Sequence, residues 1–172
     1  MKKYYVEVTD SATFWHKDEA CQILHREDGP AVERTDGSKE WYINGMLHRE
    51  DGPAVIRAVG TKEWYYKDQP HRIGGPAYEG ANGDKYWLVH GKWHREDGPA
   101  AVYADGNTRW YINDKLHRTD GPAIECVDGS KSWWINGKSM TEKEFLKRTQ
   151  PVEELTVAQI EQLLGKRVKI IK

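Results

Sequence analysis

Hydrophobic and polar residues alternate in short runs along most of the chain, and each run stops at a turn. Lys39-Glu40-Trp41-Tyr42-Ile43 lies between Asp36-Gly37 and Asn44-Gly45. Both dipeptides favour the φ > 0 geometry of tight turns between twisted antiparallel strands, so the stretch predicts a β-strand joining two hairpins. Ala31-Val32-Glu33-Arg34 supplies the strand before it and Met46-Leu47-His48 a short piece after it. At Arg49-Glu50-Asp51-Gly52-Pro53 the ladder should break, because proline lacks a donor and glycine permits a sharp bend. The pattern predicts an antiparallel meander elongating by one hairpin per unit.

The unit recurs every 23 residues. His25-Arg26-Glu27-Asp28-Gly29-Pro30-Ala31 returns from His48, His94 and His117, with a degenerate copy from His71. Trp41, Trp64, Trp87, Trp110 and Trp133 keep the same step, as do Gly37, Gly60, Gly83, Gly106 and Gly129. Three columns held in phase make a tandem repeat of stacked supersecondary units.

Strand alternation places Trp41 and Ile43 on one face and Tyr42 on the other. The Trp column reads as a packing ladder buried between units. The opposite column varies as Tyr42, Tyr65, Leu88, Tyr111 and Trp134, a partly open apolar stripe wide enough to be a contact surface.

After Gly137 the repeat ends. Thr141 with Glu144, and Thr156 with Gln159, have capping-box spacing, while Met140 with Phe145 and Leu155 with Ile160 have that of hydrophobic staples. Two short helices are expected, separated at Pro151 and stopped at Gly165, with Arg167–Ile171 alternating as a final strand. The expected organisation is one structural domain: an N-terminal cap over 1–21, five repeats over 22–139, and a helical and strand cap over 140–172 that covers the last open edge.

Composition sharpens this reading. The 172 residues hold 26 Lys+Arg against 27 Asp+Glu, a balance that disfavours holding nucleic acid or anionic membrane by bulk charge. No apolar run is long enough to span a bilayer and the first residues do not resemble a signal peptide, so a soluble, cytoplasmic protein without membrane insertion is expected. Two cysteines make no disulfide framework. Eight Trp and nine Tyr against two Phe mean that large rings with polar handles must supply much of the buried area.

His-Arg-Glu-Asp contains an acid/base set, but a catalytic constellation is normally unique in a domain, whereas this tetrad recurs. Pairing of Arg with Asp across the bend, and stacking of His on its neighbour, accounts for it better. Histidines spaced by whole units are too far apart to converge on a metal ion, and no motif for a cofactor appears, so none is expected. The third unit reads His71-Arg72-Ile73-Gly74-Gly75-Pro76 and loses the acidic pair. An Arg72 freed from its carboxylate, near Tyr65, Tyr66, His90 and Trp93, would suit an acidic or aromatic group of a partner.

Units of the form Asp-Gly-Ser-Lys-Glu-Trp-Tyr-Ile-Asn-Gly-x-Leu-His-Arg-Glu-Asp-Gly-Pro-Ala resemble MORN-type repeats, closest to those of the YwqK-like antitoxin repeat families. The resemblance covers about residues 22 to 139. It implies a mainly β, MORN-like solenoid, a scaffold or binding role, and a prior for neutralising a toxin or host factor. Similar arrays are frequent in large phages and giant viruses, which implies a viral origin.

The preferred expectation is a non-enzymatic protein–protein interaction module binding through Tyr42, Tyr65, Tyr66, Arg72, His90, Trp93, Tyr111 and Trp134. The alternative is a nucleic-acid or nucleotide binder stacking bases on the same rings. A third reading is a hydrolase or transferase around His16, Asp18 and His25. Pairing of exposed sheet ends would give a homo-oligomer.

Overall fold

The computed structural model describes residues 3–150, 156–165 and 167. β1 (Tyr5–Val8) and β2 (Ala12–His16) form the first hairpin, with Tyr5 opposite His16. Each later unit adds two pieces. In the first, β3 (Val32–Arg34) pairs with β4 (Lys39–Glu40), and β5 (Tyr42–Ile43) pairs with β6 (Met46–Leu47). The second unit repeats this as β7 (Val55–Ile56), β8 (Lys62–Glu63), β9 (Tyr65–Tyr66) and β10 (Gln69–Pro70). The third has β11 (Tyr78–Glu79), β12 (Lys85–Tyr86), β13 (Leu88–Val89) and β14 (Lys92–Trp93). The fourth has β15 (Ala101–Val102), β16 (Thr108–Arg109), β17 (Tyr111–Ile112) and β18 (Lys115–Leu116). The fifth ends the array with β19 (Ile124–Glu125), β20 (Lys131–Ile135) and β21 (Lys138–Met140).

The first pair of every unit joins one antiparallel sheet of 13 strands, open at β1 and β21. The second pairs of units one to four stand apart from it as two-stranded hairpins. The expected strand Lys39–Ile43 is therefore interrupted at Trp41. Trp41 donates its N–H to the Ala54 carbonyl (2.8 Å), on the long sheet, while its own carbonyl accepts from the His48 N–H (3.0 Å), in the hairpin. One residue thus passes the chain from one ladder to the other. Trp64, Trp87 and Trp110 repeat both bonds, and so does Trp15 with Ala31 and His25. Trp15 lies 26 residues before Trp41, outside the 23-residue register, because the tip between Lys17 and Ile23 is longer.

The turns follow their local chemistry. Asn44 and Gly45 both have positive φ (52° and 81°), as a primed turn requires. At Asp36-Gly37 only Gly37 is left-handed (φ 92°), and the Asp36 carboxylate accepts the Ser38 N–H at 2.8 Å. Adjacent turns are tied together. The Ser38 hydroxyl accepts from the Ala58 N–H (3.0 Å), and Thr61, Asp84 and Asn107 hold the next turns alike.

The core is a ladder of small residues. Ala31, Ala54, Ala77, Ala100 and Ala123 are each 0–1 % exposed, whereas the Trp column and the Tyr column are both half-buried. The expectation that Trp rings form the buried face is corrected here. Alanine at the bend lets hairpin and sheet approach closely, and the large rings flank that contact.

At the C-terminal end, α1 (Glu142–Thr149) and α2 (Val157–Leu164) start with the capping boxes expected at Thr141/Glu144 and Thr156/Gln159. Phe145 is buried as α1 packs on β20. Gly165 closes α2 in the left-handed conformation. Leu155, Pro151 and the expected strand Arg167–Ile171 fall outside the described residues, apart from Arg167 itself. Among the described residues no helix is long and apolar enough to cross a membrane.

Candidate binding face

The recurring His-Arg-x-Asp-Gly-Pro-Ala is a structural clasp. Each arginine lays its guanidinium over a Trp ring, at 3.9–4.2 Å for Arg26 on Trp15, Arg49 on Trp41, Arg72 on Trp64, Arg95 on Trp87 and Arg118 on Trp110. Its Nε donates to the following Asp at 2.8–2.9 Å in four of the five clasps, the expected pairing across the bend. Its NH1 donates to the Pro carbonyl at 3.2–3.3 Å in all five. A Cβ at the glycine would lie 2.7–3.0 Å from the guanidinium carbon, so any larger residue there would push the arginine off its ring. The ion pair with Arg49 holds the Asp51 carboxyl below its ordinary range, and Asp97 and Asp120 are lowered similarly by Arg95 and Arg118.

The histidines couple neighbouring units. Nδ1 of His25, His71, His94 and His117 accepts the backbone N–H of Asn44, His90, Asn113 and Asn136 respectively, at 3.1–3.3 Å. His48 breaks the series, its buried Nδ1 lacking a hydrogen-bond partner among the described residues; Asp68 accepts the Leu47 N–H at 2.7 Å there, as Asp114 accepts the Trp93 N–H beside the intact His94 bond. Replacing His117 by Leu should therefore leave the fold in place but release the Asn136 amide. Loss of about 1 kcal/mol of local protection predicts hydrogen exchange at Asn136 roughly fivefold faster, and an unchanged rate there would remove the coupling role.

Arg72 is not freed by the loss of its acidic pair. Its NH1 donates to Glu79 at 2.9 Å and to the Pro76 carbonyl at 3.2 Å while the guanidinium stacks on Trp64. Glu33 and Glu125 bind Arg26 and Arg118 in the equivalent way, so Glu79 substitutes for a missing residue by a contact that other units also use. The expectation of an available Arg72 is corrected.

The other candidates divide between two surfaces. Tyr42 and Tyr65 turn into the bend, their hydroxyls donating to Glu40 (3.2 Å) and Glu63 (3.1 Å). Burial, followed by the adjacent carboxylate, pushes each phenol up to about 12. Glu40 is 6 % exposed. Burial alone would raise its carboxyl, but Arg34 (3.2 Å) and Arg57 (2.6 Å) outweigh that and hold it below the usual range. Tyr66 points the other way, its ring centroid 4.8 Å from His48 and 6.2 Å from His90, where His90 stacks on His71 at 4.2 Å. Burial and the neighbouring His90 lower the His71 pKa. Trp134 is half-buried with its indole N–H unpartnered among the described residues.

Within the bend, Trp93 and Tyr111 (5.6 Å between centroids) join three tyrosines absent from the expected set. Tyr78 stacks on Tyr86 at 4.9 Å and 15°, and Tyr86 also meets Trp93 at 5.1 Å and Tyr103 at 5.7 Å. A column reading carries the signal. Tyr78 stands where other units have Val32, Val55, Ala101 and Ile124; Tyr86 where they have Glu40, Glu63, Arg109 and Ser132. Cross-strand register then places Tyr78 directly opposite Tyr86.

Two residues of the third reading, His25 and Asp18, have other employment. Nδ1 of His25 accepts the Asn44 N–H, and the Asp18 carboxylate accepts the N–H groups of Gln22 and Ile23. His16 is buried, with Nε2 3.4 Å from Glu7. No protein-family model matches the chain, and no curated protein matches it.

Proposed function

We propose that the chain is a non-enzymatic binding module, a MORN-like solenoid whose inner aromatic face holds a protein partner. The observation that carries this is a division of labour. The repeated charged motif is spent on clasping the chain to itself, while Tyr78, Tyr86, Trp93, Tyr103 and Tyr111 form a continuous half-buried aromatic run that the clasp does not need. Such rings make large, rigid contacts at low entropic cost, as at interface hot spots. The resemblance to antitoxin-type repeats supports a viral, cytoplasmic protein that neutralises a toxin, host or defence factor.

Affinity capture from host lysate tests the reading, with wild type compared with a folded Tyr78/Tyr103/Tyr111→Ala variant. One stoichiometric protein retained by the wild type and lost by the variant is the expected result. Equal capture by both removes the aromatic face. Co-purified nucleic acid whose retention falls steeply with salt would select the base-stacking alternative instead.

A further inference from the structure

We propose that the free edge of β1 pairs with β1 of a second copy of this chain, antiparallel about a two-fold axis at Val6. The proposal stands apart from the binding-module reading; it rests on the first hairpin and on the contrast between the two ends of the sheet.

The backbone groups set the first condition. Trp15 donates its N–H to Ala31 (2.8 Å) and accepts from His25 (2.9 Å), so both of its groups point away from β1. Val6 lies opposite Trp15, and Val8 lies opposite Thr13, which shares the direction of Trp15. Facing residues of an antiparallel pair alternate between hydrogen-bonded and non-bonded pairs, so Val6 and Val8 turn their own N–H and C=O groups out to the open edge. Unpaired strand groups of this kind are a template for a further strand.

The side chains set the second. Folded proteins blunt an edge with lysine, proline, a bulge or a very short strand. β1, Tyr5-Val6-Glu7-Val8, pairs with β2 without a bulge and leaves Val6 52 % and Val8 72 % exposed. The other end of the sheet is built differently. β21 has three residues, begins at exposed Lys138 and leads straight into the cap of α1. With one pairing edge per chain, association closes at a dimer instead of growing head to tail.

Face and charge set the register. A two-fold normal to the sheet keeps Val6 and Val8 of both copies on one face. Centred on Val6, the ladder sets Val6 against Val6, Tyr4 against Val8, and Tyr5 against Glu7 of the second copy. The first two kinds of pair carry the hydrogen bonds, about six in all. The third brings opposite charges together, because Lys3 holds its ammonium 4.9 Å from the Tyr5 ring centroid, beside the place where Glu7 of the second copy arrives. Centring on Glu7 would instead oppose two like carboxylates. Centring on Tyr5 would lose the valine contact on the axis.

Sedimentation of the full chain between about 5 and 500 µM tests the pairing. One short ladder is a small interface, so a dissociation constant of roughly tens of micromolar is expected, with the mass rising to that of two chains and no further. Val6→Pro should keep the chain monomeric throughout; the Val6 N–H faces out, so proline there removes no bond to β2. Cysteine cross-linking reads the register, in chains that also carry Cys21→Ser and Cys126→Ser. Tyr5 and Glu7 of the second copy lie about 4.5 Å apart at Cα, within disulfide reach, whereas Tyr5 from Tyr5 and Glu7 from Glu7 are about 7–8 Å apart and outside it. Tyr5→Cys and Glu7→Cys chains should therefore cross-link when mixed and not separately, and this arm decides the matter if Val6→Pro does not fold. A monomer at the highest concentration, a Val6→Pro chain that still dimerises, or growth past two chains overturns the proposal. Cross-linking of Tyr5→Cys or Glu7→Cys alone overturns the register centred on Val6.

Discussion

Ala54→Leu should lower the stability of the whole array by about 3 kcal/mol, a larger effect than expected from any exposed residue of the clasp. Ala54 is fully buried, its carbonyl accepts the Trp41 N–H, and it sits where hairpin and sheet come together. Three added carbons cannot be placed there without pushing the hairpin off the sheet. Because the neighbouring alanines repeat the contact, displacement at one unit propagates to the next through the turn and His bonds. For a chain of this length the loss corresponds to a fall in Tm of roughly 10 °C. Thermal unfolding followed by circular dichroism gives the answer. A shift below about 2 °C would mean that the alanine column is not the core and that the Trp rings carry the stability after all.

Removing the charge at Glu40 is the second large effect. Glu40→Gln keeps the volume but leaves Arg34 and Arg57 without their shared carboxylate. Breaking a buried pair costs about 3–5 kcal/mol, but both arginine side chains are about 40 % exposed and rehydrate, so about 1–2 kcal/mol is expected. The loss depends on pH in a definite direction. The folded carboxyl titrates below its ordinary value of 4.5, so the wild-type advantage is full above that value. It disappears as pH falls through the folded value, where Glu40 becomes protonated and resembles Gln. Melting curves of the two proteins should differ by a constant amount from pH 6 to 8 and converge below about 4.5. A gap that does not narrow at all as the solution is acidified would show that the carboxylate charge is not what the pair contributes.

Much of the local structure was legible in the chain itself. Asn44-Gly45 reads as a primed turn and Thr141 with Glu144 as a capping box, because backbone conformation and neighbouring side chains decide them within a few residues. The 23-residue step and the break at Gly-Pro are equally local. The pairing of Arg26 with Asp28 belongs here too, since two residues separate them and the bend brings them round.

The tertiary structure decided everything that depends on which units are brought side by side. The sequence itself determined a repeat of turns and short strands, with an aromatic column on each side. It did not determine that Lys39–Ile43 splits at Trp41, since that requires the Ala54 carbonyl of the next unit. Nor did it determine the alanine core, because burial follows from the approach of two ladders and not from side-chain size. Glu79 takes Arg72 through a seven-residue contact that only the folded bend creates, and His117 reaches the Asn136 amide across a unit boundary. Tyr78 and Tyr86 occupy different columns of the repeat, and only cross-strand register sets one ring on the other. Column reading compares residues that translation relates, whereas a binding face is built from residues that are merely adjacent in space.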